Sequence, residues 1–140
     1  MRSLGIDIGS RTIKVAVLRD GHLEYSQKAD SSYDPISVAR RLMAGLEYDA
    51  ITATGYGRHN FKAHFDCPVV SEIKAFGQGA RFVFPQAEAV LDIGGQDTKV
   101  IALDRAGRVV KFEMNDRCAA GTGRFMEIMA VALHYTMDEF

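Results

Sequence analysis

Two short segments of the sequence place glycines shortly after an aspartate, a combination that suits the binding of a phosphate chain. Asp7 precedes Gly9, while Asp92 precedes Gly94 and Gly95, and each group separates two apolar stretches. A turn of this kind between antiparallel strands sets a carboxylate beside exposed backbone N–H groups, which can hold phosphate oxygens and a magnesium ion together. A single instance is more often an ordinary β-hairpin with an aspartate in its turn. The relation between the two segments therefore decides the interpretation.

The two segments belong to an internal repeat. Residues 6–18, IDIGSRTIKVAVL, align without a gap to residues 91–103, LDIGGQDTKVIAL. The aligned pairs include Asp7 with Asp92, Gly9 with Gly94 and Lys14 with Lys99. A repeated hairpin predicts two related subdomains with one phosphate loop each. We place the boundary near Pro85, with a complete first subdomain over residues 1–86 and the beginning of an incomplete second one over 87–140.

The spacing of apolar residues predicts the strands and helices that position both loops. The predicted elements are strands at 4–8, 13–17 and 23–25, a helix from 36 to near Gly45, a strand at 50–53, a glycine loop at 54–57, a strand at 69–70, a helix at 71–84, strands at 89–92, 98–103 and 109–113, and a helix around 124–134. This order is typical of an α/β protein in which helices cover a mixed sheet. We expect Lys14 and Lys99, which lie inside strands just past the loops, to be solvated.

The two cysteines have different surroundings and are too few for a disulfide framework. Cys118 lies just before a glycine-containing helix start, where free N–H groups and the positive end of the helix favour a thiolate. An apolar stripe follows it, made of Phe125, Ile128, Met129, Ala132 and Leu133. Cys67 precedes Pro68 at the entry to a predicted buried strand, so we interpret it as a small structural residue.

Composition and charge exclude several classes of function. The net charge is -1 and the basic residues are scattered, so neither a nucleic acid nor an anionic membrane is an expected partner. No apolar run is long enough to span a bilayer or to form a signal peptide, and we expect a cytoplasmic protein. The four histidines lack zinc-ligand spacing and are predicted to lie on the surface.

The paired hairpins resemble the superfamily of sugar kinases, acetate kinase, the heat-shock ATPase and actin. The resemblance implies an actin-like ATPase (ribonuclease H-like) fold in which two phosphate loops face each other across a cleft. It also implies that Asp7 and Asp92 are the catalytic carboxylates, near magnesium and the attacking water. The residues that would bind the phosphates of ATP are Gly9, Ser10, Arg11 and Thr12 in the first loop and Gly94, Gly95, Gln96 and Asp97 in the second.

Four narrower motifs resemble the ATPase activators of 2-hydroxyacyl-CoA dehydratases and the related benzoyl-CoA reductase ATPase subunits. The motifs are TGYGR at 54–58, SEI at 71–73, DIGGQD at 92–97 and NDRCAAGTGRF at 115–125. The last is the most specific, because sugar kinases and heat-shock ATPases lack it. One departure is Ala75-Phe76, where family members often carry Cys-His.

This second resemblance implies an ATPase whose hydrolysis drives a low-potential electron into a partner dehydratase or reductase, with a ferredoxin or flavodoxin as the upstream donor. It implies a four-iron four-sulfur cluster shared across a homodimer, with Cys118 as one ligand and a second ligand and the adenosine site beyond Phe140. A truncated chain of this kind would be inactive alone. We expect Cys118 to lie on a surface separate from the phosphate loops.

Two other functions fit the same fold. The chain could be a small-molecule kinase with an inert Cys118, although residues 56–58 supply no recognisable catalytic aspartate or sugar pocket. It could also be a non-catalytic nucleotide-binding regulator, although such a protein would tolerate the loss of Asp7 or Asp92, and both are present.

Overall fold

The structure is a computed structural model that describes residues 1–140. Its contacts divide the chain into two units, Met1–Glu72 and Ile73–Phe140. The first unit contains β1 (Arg2–Ile8), β2 (Thr12–Arg19), β3 (His22–Asp30), α1 (Pro35–Met43), β4 (Ala50–Thr54) and α2 (Arg58–His64). Then follow α3 (Glu72–Val83), β5 (Ala89–Ile93), β6 (Thr98–Leu103), β7 (Val109–Asn115) and α4 (Gly123–Ala132). The subdomain boundary expected at residues 86 and 87 stays a prediction.

The first unit is built on a four-stranded sheet in the order β3-β2-β1-β4. The three predicted strands at its start are confirmed as antiparallel neighbours, and β4 lies parallel to β1. Inward-facing side chains of β1 and β2, such as Ile6 and Ile13, are almost fully buried together with the apolar face of α1. Asp34 caps α1 by accepting a hydrogen bond from the Ser37 N–H at 3.0 Å, and the chain leaves the helix through Gly45 at a φ of 77°.

Two features of the first unit differ from the prediction. Residues 69–70 do not form a strand, because Val69 makes only an isolated parallel bridge with Ala53. Helix α2 was not predicted, since only Phe61 of its seven residues is buried and no repeated apolar spacing marks it. Phe61 stacks on Phe65 with ring centroids 4.2 Å apart, and this local aromatic pair anchors the helix.

The second unit is built on the antiparallel sheet β5-β6-β7. One face of β6 is buried through Ile101 and Leu103, and Gly77 of α3 lets that helix approach Leu103 and Val109 closely. The predicted apolar stripe of α4 is mostly exposed, with Phe125 at 42% and Ile128 at 51%. No helix of the chain is both long enough and apolar enough to cross a membrane.

Candidate functional site

The first repeat copy forms a tight hairpin between β1 and β2, and Asp7 lies where β1 ends. Asp7 faces Lys14 across the two strands, and the Lys14 Nζ lies 2.9 Å from the Asp7 Oδ2. The Gly9 N–H donates to the Thr12 carbonyl at 3.1 Å, and a Cβ on Gly9 would lie 2.6 Å from that oxygen. Only glycine fits this turn, which leaves Ser10 exposed at its tip.

A glycine loop packs directly against this first hairpin. Gly55 has a φ of 91°, and a Cβ there would overlap Asp7 and lie 2.6 Å from the Ile8 carbonyl oxygen. The Gly57 N–H donates to that same Ile8 carbonyl at 2.8 Å. The predicted loop at 54–57 is therefore confirmed, and its glycines are explained by close backbone contact with the strand that carries Asp7.

The second repeat copy forms the same hairpin between β5 and β6 with a different distribution of charge. The Gly94 N–H donates to the Asp97 carbonyl at 2.8 Å, and Asp92 faces Lys99 across the strands. The Lys99 Nζ lies 2.7 Å from the Asp97 Oδ1 and 3.3 Å from the Asp92 Oδ2. Lys99 is only 4% exposed.

The expectation of two solvated lysines is therefore correct for Lys14 and wrong for Lys99. The side chain of Lys14 is 52% exposed beside one carboxylate. Lys99 is buried because Asp97 supplies a second carboxylate at the position that Thr12 occupies in the first copy. A buried ammonium requires such pairing, since its desolvation is costly.

Cys118 lies in a loop between β7 and α4, which we call the thiol loop (residues 118–122). Its thiol is exposed and accepts a hydrogen bond from the Ala120 N–H, with 3.4 Å between the nitrogen and Sγ. Cys67 is buried at 3% exposure, and burial raises the pKa of the Cys67 thiol. The prediction that Cys67 is a small structural residue agrees with this placement, and Cys118 is the accessible thiol of the two.

The thiol loop and the start of α4 are hydrogen-bonded to the second hairpin, while the expectation that Cys118 lies on a surface separate from the phosphate loops stays a prediction. Gly123, the first residue of α4, donates its N–H to the Gly94 carbonyl at 2.8 Å, and Arg124 donates to the Gly95 carbonyl at 3.2 Å. A Cβ on Gly123 would lie 3.3 Å from the Gly94 oxygen. The GTG sequence after Cys118 thus allows α4 to start against the turn of the hairpin.

The structure assembles the predicted site residues in two groups. The first hairpin, with Asp7 and the residues Gly9, Ser10, Arg11 and Thr12, belongs to the first unit, and the second hairpin and the thiol loop belong to the second. Thr98, Asn115 and Thr122 hold the thiol loop, and none of them is among the site residues predicted from the sequence. Only Thr122 had a signal, because it precedes the helix start as an N-cap and accepts a hydrogen bond from the Phe125 N–H. No cluster of three or more His, Cys, Asp or Glu side chains is arranged to hold a metal ion.

Comparison with known proteins places this arrangement in a family. The sequence model of the BadF/BadG/BcrA/BcrD ATPase family matches residues 4–140. The chain belongs to this family. It is 43% identical to an activator of lactoyl-CoA dehydratase from Anaerotignum propionicum, in an alignment that covers 99% of this chain and 56% of the relative. The chain thus spans about half the length of the curated relatives that it matches.

Two solved structures of the family confirm the predicted actin-like ATPase fold. The activator of 2-hydroxyisocaproyl-CoA dehydratase from Clostridium difficile with bound ADPNP superposes with a TM-score of 0.85 at 36% identity, covering 99% of this chain and 55% of that one. Component A of the (R)-2-hydroxyglutaryl-CoA dehydratase from Acidaminococcus fermentans gives 0.87 at 35% identity, covering 98% and 56%. The resemblance inferred from the four sequence motifs is therefore confirmed at the level of the family.

Proposed function

We propose that this chain is part of an ATP-hydrolysing activator protein. The activator would drive a low-potential electron from an iron–sulfur cluster into a partner acyl-CoA dehydratase or reductase. Relatives named as dehydratase activators, and one named as a component of benzoyl-CoA reductase, support this role. The observation that carries the proposal is the direct bonding of the thiol loop and α4 to the second phosphate hairpin. A proposed nucleotide site that is hydrogen-bonded to the segment carrying an exposed thiol suits an ATP-coupled redox protein.

The two hairpins would bind the phosphates of ATP and its magnesium ion. Their turns offer backbone N–H groups, and the side chains of Asp7 and Asp92 remain 22% and 17% exposed, so both carboxylates fit a hydrated cation. Magnesium, when bound, neutralises charge on the phosphate oxygens. Lys14 and Lys99 would hold the two carboxylates in place, because each lysine is bonded to the aspartate opposite it. Asp7 and Asp92 are then the proposed catalytic residues.

Cys118 fits the role of one cluster ligand. Its sulfur is exposed and hydrogen-bonded to a backbone N–H, the kind of contact that stabilises thiolates in iron–sulfur proteins. A four-iron cluster needs four thiolates, and Cys67 is buried in the other unit. We therefore propose that the cluster is shared in a homodimer, with Cys118 from each protomer and further cysteines from outside residues 1–140. A ferredoxin or flavodoxin would supply the electron.

The test compares Cys118→Ala with Cys67→Ala in the protein at the full length of its relatives, reconstituted anaerobically with iron and sulfide. Cys118→Ala should lose the bound iron and its visible absorption and keep nucleotide binding, whereas Cys67→Ala should keep its iron. Cys67→Ala should cost about 1 kcal/mol of unfolding free energy, since it removes one buried sulfur atom. Full iron content in the Cys118 variant would show that Cys118 is not a cluster ligand, whereas an unsubstituted protein that binds no iron would favour the kinase or the regulator.

A further inference from the structure

The thiol loop is held by a set of side-chain hydrogen bonds that leaves none of the carbonyls of residues 118–121 without a donor. The Asn115 Nδ2 donates to the carbonyls of Cys118 and Ala120 at 3.2 and 3.3 Å. The hydroxyl of Thr122 donates to the Ala119 carbonyl at 2.6 Å. The fourth carbonyl, that of Gly121, accepts from the Thr98 Oγ1 at 2.6 Å.

Thr98 differs from the other donors in its place in the chain. Asn115 and Thr122 lie close to Cys118 in the chain, whereas Thr98 is the first residue of β6 and directly follows Asp97, the last residue in the turn of the second phosphate hairpin. Thr98 and Asn115 are also cross-strand partners in the sheet. Thr98 and Asn115, which both donate to carbonyls of the thiol loop, are therefore neighbours in the sheet, and Thr98 is continuous with the phosphate turn.

Three hydrogen bonds join the second hairpin to the segment after Cys118. Two of them run between backbone groups, from Gly123 to Gly94 and from Arg124 to Gly95. The third, from Thr98 to Gly121, is the one that a side chain makes. Gly121 has a φ of 77°, so the chain turns sharply at the residue that receives this bond, between Cys118 and α4. A shift of the hairpin turn would therefore be passed to the thiol loop through the Gly121 carbonyl.

We infer that Thr98 is a positioning residue that couples occupancy of the second phosphate hairpin to the conformation of the thiol loop around Cys118. This inference rests on the proposed function, in which the hairpin binds the phosphates of ATP. Phosphate binding to the turn moves Thr98 together with Asp97, and the bond to Gly121 carries that change to the loop. Small shifts in packed and hydrogen-bonded structure are transmitted between discrete arrangements in this way.

The experiment uses two substitutions that differ in one hydroxyl. Thr98→Val keeps the branched shape and removes the donor, while Thr98→Ser keeps the donor. The rate of alkylation of Cys118 by iodoacetamide is measured in the iron-free protein at the full length of its relatives, at one pH, with and without saturating magnesium–ATP, by mass spectrometry of the Cys118 peptide. Buried Cys67 is the internal reference, and calorimetry establishes saturation in each variant.

We expect nucleotide to change the Cys118 rate in the unsubstituted protein and in Thr98→Ser, and to change it much less in Thr98→Val, in which only the two backbone hydrogen bonds to the turn remain. Without nucleotide, Thr98→Val should react about two- to tenfold faster, the change in loop opening that the loss of one hydrogen bond produces. Nucleotide affinity should be the same in all three proteins, because the hydroxyl donates to the thiol loop and not to the phosphate turn.

Several outcomes would overturn the inference. If Thr98→Val binds ATP and keeps the nucleotide-dependent change, coupling does not pass through Thr98, and the proposed function stands. If Thr98→Val alone loses ATP binding, the residue acts in the phosphate site itself. If the unsubstituted protein binds no ATP, the proposed function fails and the inference with it. Amide hydrogen exchange over residues 118–124 of the unsubstituted protein needs no variant, and an unchanged rate on saturation with magnesium–ATP would also overturn the coupling.

Discussion

In the first hairpin the Lys14 ammonium reaches one carboxylate, and 52% of the lysine side chain is exposed. In the second hairpin the equivalent Lys99 lies between two carboxylates, and 5% of its side chain is exposed. The turns themselves match, since Gly9 and Gly94 each donate to the carbonyl three residues further on. The repeat therefore preserves the backbone that can bind phosphate, and the electrostatics around it diverge because Arg11 and Thr12 of the first copy are replaced by Gln96 and Asp97 in the second.

The two copies also differ in the role of the next aligned residue, which is Ile13 in the first copy and Thr98 in the second. Ile13 of the first copy is fully buried in the core of its unit, whereas Thr98 of the second copy donates to the thiol loop. Both copies also receive a glycine N–H from a following segment, through Gly57 onto Ile8 and through Gly123 onto Gly94. At this position the first copy packs into its core, while the second copy is bonded to the segment that carries Cys118.

The largest effect is expected from Asp92→Ala, which tests whether the second hairpin is a catalytic loop. Phosphate release at saturating ATP, measured in the protein at the full length of its relatives, should fall by about a hundredfold or more, because a preorganised charge in a reaction site has this weight. Glu113→Ala is the matched control, since that carboxylate lies in the same unit with a side chain 75% exposed. Turnover retained in Asp92→Ala would move the catalytic role to another residue.

The next effect concerns stability and sharpens the contrast between the two lysines. Lys99→Met should lower the free energy of unfolding by about 3 kcal/mol, because it leaves Asp92 and Asp97 close together without their shared cation. Lys14→Met should cost less than about 1 kcal/mol, because its ion pair is exposed and screened by solvent.

Urea unfolding monitored by circular dichroism measures both lysine variants under the same conditions. Equal losses in the two variants would contradict the assignment of Lys99 as a buried counter-ion. Added salt should further separate them, since it screens the exposed pair more than the buried one.

The sequence predicts the hairpins well and their connections poorly, for identifiable physical reasons. A gapless repeat with period-two alternation dictates the register that sets Asp7 opposite Lys14 and Asp92 opposite Lys99, and the structure has that register. The burial of Lys99 is not predicted by strand periodicity alone, because its partner Asp97 lies in the turn just before β6.

The attachment of the thiol loop could not be predicted. Thr98 and Gly121 are 23 residues apart, and no periodicity marks a hydrogen bond between a hydroxyl and a distant carbonyl. Helix α2 is hidden for a different reason, because only Phe61 of its seven residues is buried and no amphipathic pattern marks the segment. Local patterns predict elements, while contacts between loops depend on how the elements pack.

The smallest effect is a pH dependence that separates the helix caps of the two units. Asp34 caps α1, and its hydrogen bonds from the Ser37 hydroxyl and N–H lower the pKa of the Asp34 carboxyl. Thr122 caps α4 through a hydroxyl that does not titrate in this range. Because the Asp34 pKa is lower in the folded state, its stabilisation is complete above the ordinary carboxyl pKa of about 4 and is lost as the pH falls through the lowered value.

Amide hydrogen exchange, corrected for its intrinsic pH dependence, should therefore show α1 losing protection relative to α4 on acidification from about pH 5 to about pH 3. Asp34→Ser replaces the carboxylate with a neutral cap and should make the two helices respond alike. The same preferential loss of α1 in Asp34→Ser would show that another group, and not this cap, responds to acid.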